Sequence, residues 1–169
     1  MNDIQAVAAK IGLPRFAQLG VVVRDVKQTV ALYSSVFGIS PFTVYEWSPD
    51  KHWVDEKPSP LKLQIGKAQW GDIELELIQL LEGKSPHGEF LEKRGEGLHH
   101  LGFNVSNYHE VYGKMVDEGF KPMMRAESYV APYKGNLKAC YFDTTRVGGI
   151  IFEIIWKSWL TGGQEGASH

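Results

Sequence analysis

The chain repeats one pattern of strands and polar residues, and this internal repeat constrains its fold more than any other feature. Residues 18–23 (QLGVVV) and residues 100–105 (HLGFNV) each open a segment with a polar residue, a leucine and a glycine. Each segment continues through a helix-like stretch and closes on an apolar strand that a carboxylate interrupts. Those closing strands are residues 73–78 (IELELI) and residues 150–155 (IIFEII). The sequence therefore predicts two modules of the same architecture in one compact unit.

Each module has the order βαβββ, which makes the predicted fold class α+β. In the first module a helix is predicted over residues 26–37, with Asp25 as its N-cap and Gly38 at its C-terminal end. Residues 48–60, rich in proline, aspartate and lysine, are predicted to form a loop. The predicted division of the chain is an N-terminal lead (1–15), a first module (16–80), a linker (81–97), a second module (98–157) and a flexible tail (158–169).

The composition predicts a soluble cytoplasmic protein that binds neither nucleic acid nor a membrane. A formal net charge of −2 at pH 7 offers no basic surface for nucleic acid or anionic lipid. No apolar run approaches the roughly 18 residues of a transmembrane helix, and the N-terminus lacks the pattern of a secretory signal. The single cysteine, Cys140, lies in an apolar run and is predicted to be a core thiol rather than a nucleophile.

Four polar residues occupy equivalent positions of the two modules: Gln18, Glu76, His100 and Glu153. A carboxylate buried among leucine and isoleucine is costly unless a cation compensates its charge. Amide, carboxylate and imidazole groups are suitable ligands for Zn²⁺, Ni²⁺, Co²⁺, Mn²⁺ or Mg²⁺. The repeat therefore predicts one divalent metal ion held by these four residues. The alternative is that the glutamates lie on solvent-exposed strand faces, and Glu74 either supports the ligands or faces solvent.

Strand alternation is expected to separate the two adjacent histidines, because neighbouring side chains of a strand point to opposite faces. Register with Gln18 selects His100 for the site face and predicts that His99 is packed or lies at an interface. His52 and His87 fall in segments predicted to be loop or helix surface, so both are expected to be solvated.

With these residues identified, the chain from about residue 16 to residue 156 resembles the vicinal oxygen chelate superfamily, also called the glyoxalase/bleomycin-resistance/dioxygenase family. Residues 85–100 (SPHGEFLEKRGEGLHH) look like the corresponding segment of methylmalonyl-CoA epimerases. The order of the four polar residues along the chain, Gln, Glu, His and Glu, is similar to the metal set of zinc-type glyoxalase I. The resemblance implies that two βαβββ modules pair into a cup-shaped, incompletely closed β-barrel with helices outside.

The resemblance also implies a chemistry. Both kinds of relative remove a proton next to a carbonyl and stabilise the enediolate on one divalent metal, with a glutamate as base. This implies Glu153 as ligand and base, Glu76 as its counterpart and Glu46 as a further base candidate. An epimerase-like isomerase is the first expectation, a glyoxalase I-like lyase the second, and a non-catalytic small-molecule or antibiotic-binding module the third. A small carbonyl or thioester substrate and a homodimer are implied as partners.

Overall fold

The computed structural model describes residues 10–161 and shows three α-helices and ten strands in that range. Most of the predicted N-terminal lead and the end of the predicted flexible tail lie outside these residues. The helices are α1 (Val26–Phe37), α2 (Pro86–Arg94) and α3 (Tyr108–Asp117). The strands are β1 (Gln18–Val22), β2 (Thr43–Trp47), β3 (Lys51–Val54), β4 (Lys57–Pro58), β5 (Leu61–Trp70), β6 (Ile73–Gly83), β7 (Gly97–Asn104), β8 (Lys121–Val130), β9 (Gly135–Asp143) and β10 (Ile151–Lys157).

All ten strands join in one curled sheet, an open half-barrel with the strand order β2-β5-β6-β1-β7-β10-β9-β8-β3-β4. The first repeat supplies the half from β2 to β1, and the second repeat supplies the half from β7 to β8. The two halves meet where β1 and β7 pair antiparallel. The predicted α+β fold, in which two βαβββ modules pair into an incompletely closed barrel, is therefore confirmed.

The segment 48–60 differs from the loop predicted for it. It contains the hairpin β3–β4, and β3 pairs antiparallel with β8 at the far edge of the second repeat. His52 lies opposite Ala126 in this ladder and is buried. The composition of the segment indicates turns, but its partner strand lies too far along the chain for a local pattern to reveal the pairing.

Helix α1 packs on the outer face of the sheet in the first repeat. Asp25 caps its N-terminus through the side chain, and Gly38 ends it in the left-handed conformation, as predicted. Val26 and Val30 lie over Gly66 of β5, where an added Cβ would be only 3.0–3.1 Å from them. Helix α3 takes the matching position in the second repeat, against β8, β9 and β10. Across residues 10–161, none of the helices has the length and apolar character needed to span a membrane.

The inner face of the half-barrel has an apolar end and a polar end. The polar end begins at Lys67, Glu74 and Glu76, which share the inner face of β5 and β6. Helix α2 covers the apolar end, where its His87 packs edge-on against the ring of Tyr141. Side chains from both repeats fill that end: Leu61, Leu63, Ile65, Ile78, Met124, Tyr141 and Ile151.

Candidate metal centre

The centre of the sheet carries two reciprocal pairs of a polar residue and a glycine. Gln18 of β1 lies opposite Gly102 of β7, and His100 of β7 lies opposite Gly20 of β1. The His100 ring occupies the space into which a side chain at position 20 would project. The Gln18 side chain likewise occupies the space into which a side chain at position 102 would project. Each repeat therefore provides the glycine that makes room for the polar side chain of the other repeat.

The four residues predicted as metal ligands converge beside these glycines, one from each of the neighbouring strands β6, β1, β7 and β10. Nε2 of His100 lies 3.2 Å from Oε2 of Glu153 and 3.7 Å from Oε2 of Glu76. The same nitrogen lies 3.4 Å from Oε1 of Gln18. All four residues are buried, with exposed fractions of 6% or less. The fold thus gathers two polar groups from each repeat around one point.

This set of donors fits a divalent cation. Adjacent ligands of a metal bound at about 2.0–2.2 Å lie roughly 3.0–3.4 Å apart, and two of the three distances from His100 Nε2 fall in that range. The buried carboxylates of Glu76 and Glu153 bring negative charge into the interior, which a cation would compensate. Oε2 of Glu153 is buried beside Nε2 of His100, and no backbone N–H of the described residues donates to it. This oxygen therefore has lone pairs to offer to a metal.

Glu74 and Lys67 support the donor set from the polar end of the half-barrel. Gln18 donates through Nε2 to Glu74 at 2.8 Å, which turns its amide oxygen towards His100. Nζ of Lys67 lies 2.9 Å from Glu74 and 3.1 Å from Glu76. Burial by itself would raise the pKa of Glu74, but the charge and hydrogen bond of Lys67 lower it below its usual value. Glu74 therefore stays ionised and orients the amide of Gln18.

A β-bulge in β7 brings His99 to the same cluster. The ladder between β1 and β7 shifts register between Gly20 and Val21, which leaves His99 as an extra residue without a partner in β1. Nδ1 of His99 lies 3.1 Å from Nδ1 of His100, and both rings are buried. The prediction that alternation separates His99 from the site face is wrong, because the bulge interrupts the alternation at this residue. The prediction that His99 is packed is confirmed, since its side chain is buried.

His52 and His87 are also buried close to this cluster. The His87 side chain of α2 has no exposed surface, and its ring centroid lies 4.7 Å from that of His99. His52 donates through Nδ1 to the carbonyl oxygen of Ser59 at 2.9 Å. Burial lowers the pKa of His87 to about 3 and also lowers the pKa of His52, so both are neutral imidazoles at pH 7. The expectation that they are solvated is wrong, because β3 and α2 turn these side chains into the half-barrel.

Glu46 does not join the cluster. It lies opposite Gln64 in the β2–β5 ladder, on the outer face of the sheet where Gly66 meets helix α1. Its carboxylate is more than half exposed and pairs with Lys62 at 2.8 Å, and the hydrogen bond from that lysine lowers the pKa of Glu46. The structure therefore separates Glu46 from the metal-ligand candidates, and its suggested role as a base has no support in the geometry.

Tyr141 is a residue of the site that the sequence analysis missed. It lies opposite Glu153 in the β9–β10 ladder, and its ring centroid is 5.0 Å from that of His100. Burial raises the pKa of Tyr141 well above its usual value, and the neighbouring carboxylates raise it further. The residue is therefore a neutral phenol with a proton to donate beside Glu153. Its sequence signal is weak, because a tyrosine in an apolar strand is an ordinary core residue.

Comparison with known proteins gives one family and several relatives. Residues 17–141 match the glyoxalase/bleomycin resistance protein/dioxygenase superfamily. The uncharacterised protein YqjC of Bacillus subtilis (strain 168) is 26% identical over 140 residues, which cover 83% of this chain and 90% of YqjC.

Two solved structures of methylmalonyl-CoA epimerases share the fold. The enzyme from Mycobacterium tuberculosis matches with a TM-score of 0.60 at 16% identity, over 89% of this chain and 93% of its own. A variant of the Streptomyces coelicolor enzyme, in complex with 2-nitronate-propionyl-CoA, matches with a TM-score of 0.59 at 18% identity, over 85% of this chain and 94% of its own. At these identities the similarity is one of fold.

Proposed function

This chain belongs to the glyoxalase/bleomycin resistance protein/dioxygenase superfamily, and from that membership we propose that it is a metal-dependent enzyme. The proposed reaction is the transfer of a proton at a carbon next to a carbonyl group, with chemistry like that of methylmalonyl-CoA epimerase. Since one fold can serve different functions, the argument depends on the residues of the site.

The observation that carries the proposal is the buried group of Glu76, His100 and Glu153, whose ligand atoms lie within 4.8 Å of one another. With Gln18, these residues are the proposed ligands of one divalent ion of the Zn²⁺, Ni²⁺, Co²⁺, Mn²⁺ or Mg²⁺ type. Such an ion supplies Lewis-acid polarisation of a substrate carbonyl, which makes the neighbouring C–H more acidic.

Glu153 is the proposed base, and Glu76 is its counterpart from the other repeat. The strands that carry them, β10 and β6, flank the central pair β7–β1 on opposite sides. Epimerisation needs a proton acceptor on one face of the reacting carbon and a proton donor on the other face. Two carboxylates that approach from opposite halves of the sheet suit that requirement. Tyr141, as a neutral phenol opposite Glu153, is proposed to orient that carboxylate.

A glyoxalase I-like lyase is the second candidate, because the order of Gln18, Glu76, His100 and Glu153 along the chain is similar to its metal set. The two candidates share the removal of a proton next to a carbonyl and differ in the substrate, a CoA thioester or the hemithioacetal of glutathione. A non-catalytic binding module is the third candidate. The buried carboxylates of Glu76 and Glu153 argue against it. Burial of a carboxylate is costly, and a module that binds neither a metal nor a proton would gain nothing that offsets this cost.

Solvent deuterium incorporation tests the proposed reaction. Protein reconstituted with each metal is incubated in D₂O with methylmalonyl-CoA, and label at the α-carbon is followed by mass spectrometry. Formation of S-lactoylglutathione from methylglyoxal and glutathione is measured in parallel. Exchange in the first assay alone supports the epimerase, and product in the second assay alone supports the glyoxalase. If metal-loaded protein gives neither, both named activities are refuted.

Two matched variants test the proposed base. Glu153→Gln keeps an oxygen ligand but removes the basic group, so it should retain metal while turnover falls by about 10²–10⁴-fold. Glu46→Gln makes the same chemical change on the outer face and should leave turnover near that of the wild type. Equal losses in the two variants would contradict the assignment. Tight binding of an apolar small molecule, without proton exchange on any carbonyl compound, would favour the binding module instead.

A further inference from the structure

A second group of possible metal ligands lies at the Nδ1 edge of the His100 ring, whereas the glutamates lie at its Nε2 edge. This trihistidine site consists of His87, His99 and His100, whose ligand atoms all lie within 4.8 Å of one another. The rings come from α2 and from two consecutive residues of β7, and none is more than 2% exposed. The function proposed above uses only Nε2 of His100 as a ligand and leaves His87 without a role.

His87 is buried without a hydrogen-bond partner. Its side chain has no exposed surface, and neither Nδ1 nor Nε2 forms a hydrogen bond with another residue that the structure describes. Buried polar atoms are nearly always paired in proteins, because an unpaired polar group is costly to bury. As a neutral imidazole, His87 has one nitrogen with a lone pair, and a metal ion is a partner that such a nitrogen can bind.

His99 and His100 have the spacing of two ligands of one ion. Their Nδ1 atoms are 3.1 Å apart, within the roughly 3.0–3.4 Å that separates adjacent ligands of a metal bound at about 2.0–2.1 Å. The bulge in β7 produces this pair, because it brings two consecutive side chains to the same place. A hydrogen bond between the two imidazoles would account for the pair alone. It would not account for His87, whose ring centroid lies 4.7 Å from that of His99.

Glu153 supports the trihistidine site through the other edge of His100. A metal at Nδ1 leaves the proton of a neutral His100 ring on Nε2, which lies 3.2 Å from Oε2 of Glu153. Histidine ligands of metals commonly donate their second N–H to a carboxylate, which orients the ring and makes it a better ligand. A neutral imidazole has one lone pair, so the same ring cannot bind two ions at once. Occupation of the trihistidine site therefore excludes a metal in the four-ligand centre of Gln18, Glu76, His100 and Glu153.

The trihistidine site has its own route to the surface. A cavity of about 160 Å³ lies between α2 and the beginning of β10, and His99, Phe90 and Ile151 are among the residues that line it. Glu76 and Glu153 do not line this cavity. It therefore gives an ion access to His99 that does not pass the carboxylates, and an entry path is one of the requirements of a metal site.

We propose that His87, His99 and His100 form a second metal site, for an ion that prefers nitrogen ligands, Cu²⁺ above all. Imidazole nitrogens suit Cu²⁺, and Cu²⁺ binds to a given site more tightly than the other divalent ions of the first transition series. Mn²⁺ and Mg²⁺ prefer carboxylate and amide oxygens and therefore bind to the four-ligand centre. Zn²⁺ accepts both kinds of ligand, and the negative charges of the two glutamates draw it to the four-ligand centre as well. The chemical preference of the ion thus decides which edge of His100 it occupies.

Two probe ions test the site, Cu²⁺ for the trihistidine site and Mn²⁺ for the four-ligand centre. Metal-free protein is titrated with Cu²⁺ against a competing chelator, which keeps weak surface sites empty. The affinity for Mn²⁺ is measured from the electron paramagnetic resonance signal of the free ion. Pulsed electron paramagnetic resonance of the Cu²⁺ form counts the imidazole ligands through the nitrogens that do not contact the metal. Wild-type protein should bind one Cu²⁺ through three imidazoles, and Cu²⁺ should release bound Mn²⁺.

Two reciprocal variants separate the sites. His87→Leu removes a ligand of the trihistidine site alone, so Cu²⁺ binding should weaken by at least about 100-fold while the Mn²⁺ affinity stays within about threefold of the wild type. Glu76→Gln removes a charge of the four-ligand centre alone, so Mn²⁺ binding should weaken by at least about tenfold while the Cu²⁺ affinity stays within about threefold. His109→Leu is the matched control, since His109 is an exposed histidine of α3, and it should bind both ions as the wild type does.

The outcomes do not depend on catalysis. The trihistidine site is refuted if His87→Leu and the wild type bind Cu²⁺ equally, if the Cu²⁺ form has a single imidazole ligand, or if Mn²⁺ stays bound when Cu²⁺ is added. Circular dichroism and an unchanged Mn²⁺ affinity show that His87→Leu is folded, so its loss of Cu²⁺ would not come from unfolding. Cu²⁺ bound through three imidazoles would support the site even in a protein that exchanges no α-proton, in which case the proposed function alone fails.

Discussion

Replacement of Gly20 by alanine should disable the metal centre, although position 20 provides no ligand. The added Cβ would overlap three atoms of the His100 ring: Cε1, Nδ1 and Nε2, the nitrogen that faces both glutamates. The ring has little room to move away, because His87, His99 and Tyr141 pack around it. Gly20 does not have a positive φ, so the collision with His100 is the main obstacle to a side chain there.

The magnitude follows from the two consequences of that collision. Forcing one extra methyl group into a packed interior costs about 1–3 kcal/mol of unfolding free energy. Displacement of the ring also removes one of the four proposed ligands. Loss of a residue that only supports a ligand lowers metal affinity by about 10–100-fold. Loss of a ligand itself should cost at least the upper end of that range, so Zn²⁺ binding should weaken by at least about 100-fold. That factor corresponds to about 2.8 kcal/mol.

Competition with a chromophoric chelator gives the Zn²⁺ affinity, and urea titration of metal-free protein gives the unfolding free energy. Gly113→Ala is the matched control, because an added Cβ there meets no atom within 4 Å and the residue lies in α3. It should keep the metal affinity and stabilise the protein by about 0.5–1 kcal/mol, as alanine does in a helix.

A double-mutant cycle tests whether the loss of unfolding free energy in Gly20→Ala comes from the collision with His100. In a His100→Ala background, the methyl group at position 20 has no ring to displace, so Gly20→Ala should cost less than about 0.5 kcal/mol. Wild-type metal affinity in Gly20→Ala, or a stability cost that persists in the His100→Ala background, would refute the reasoning.

The buried histidines, the join between the repeats and the assembly state each give a further measurable expectation. His100→Ala should weaken Zn²⁺ binding more than His99→Ala. For His99→Ala a loss of about 10–100-fold is expected, because His99 supports the ligand His100 through a contact with its Nδ1. Equal losses would contradict the ligand assignment. Burial holds the pKa of His87 at about 3, well below its usual 6.5, so only the unfolded chain takes up a proton as the pH falls between these values. His87 alone should therefore account for a loss of about 1.4 kcal/mol of unfolding free energy per pH unit in that window in metal-free protein, in addition to losses from His52 and His99, whose pKa burial also lowers. Urea titrations of His87→Leu should show a pH dependence that is smaller by this amount, and an unchanged slope would contradict this origin. The two halves of the chain, residues 1–84 and 85–169, should each show a native circular dichroism spectrum only when they are mixed, because β1 and β7 join them in one sheet. If each half unfolds cooperatively on its own, the shared sheet is contradicted. Sedimentation equilibrium should show the homodimer that the family resemblance implies, and a monomer at every working concentration would contradict it.

The centre of the site could be predicted because it follows from the repeat. Gln18 and His100 open equivalent strands, and Glu76 and Glu153 interrupt equivalent strands. When the two modules pair through antiparallel β1 and β7, equivalent residues take symmetric places on either side of the join and lie on the same inner face. The convergence of these four side chains therefore needed no knowledge of loops or of side-chain packing.

The rest of the site depends on register between segments that are distant in the sequence. His99 reaches the cluster because β7 carries a bulge opposite Gly20 and Val21, and a bulge becomes visible only when two strands are aligned. His52 and His87 are buried because β3 crosses to the far edge of the sheet and α2 packs over the apolar end. Neither placement leaves a periodic pattern in its own segment.

The two glycines of the repeat explain why the site requires an antiparallel join between two copies. In the triplets Gln18-Leu19-Gly20 and His100-Leu101-Gly102, the first residue of each lies opposite the third residue of the other. One short pattern thus supplies both a polar side chain and the space for its counterpart, provided that the two copies run in opposite directions. A parallel pairing in register would set Gln18 against His100 and glycine against glycine, which would crowd one position and leave the other empty. A side chain at either glycine would therefore displace the polar side chain contributed by the other repeat. A substitution in one repeat thus changes the ligand that the other repeat provides.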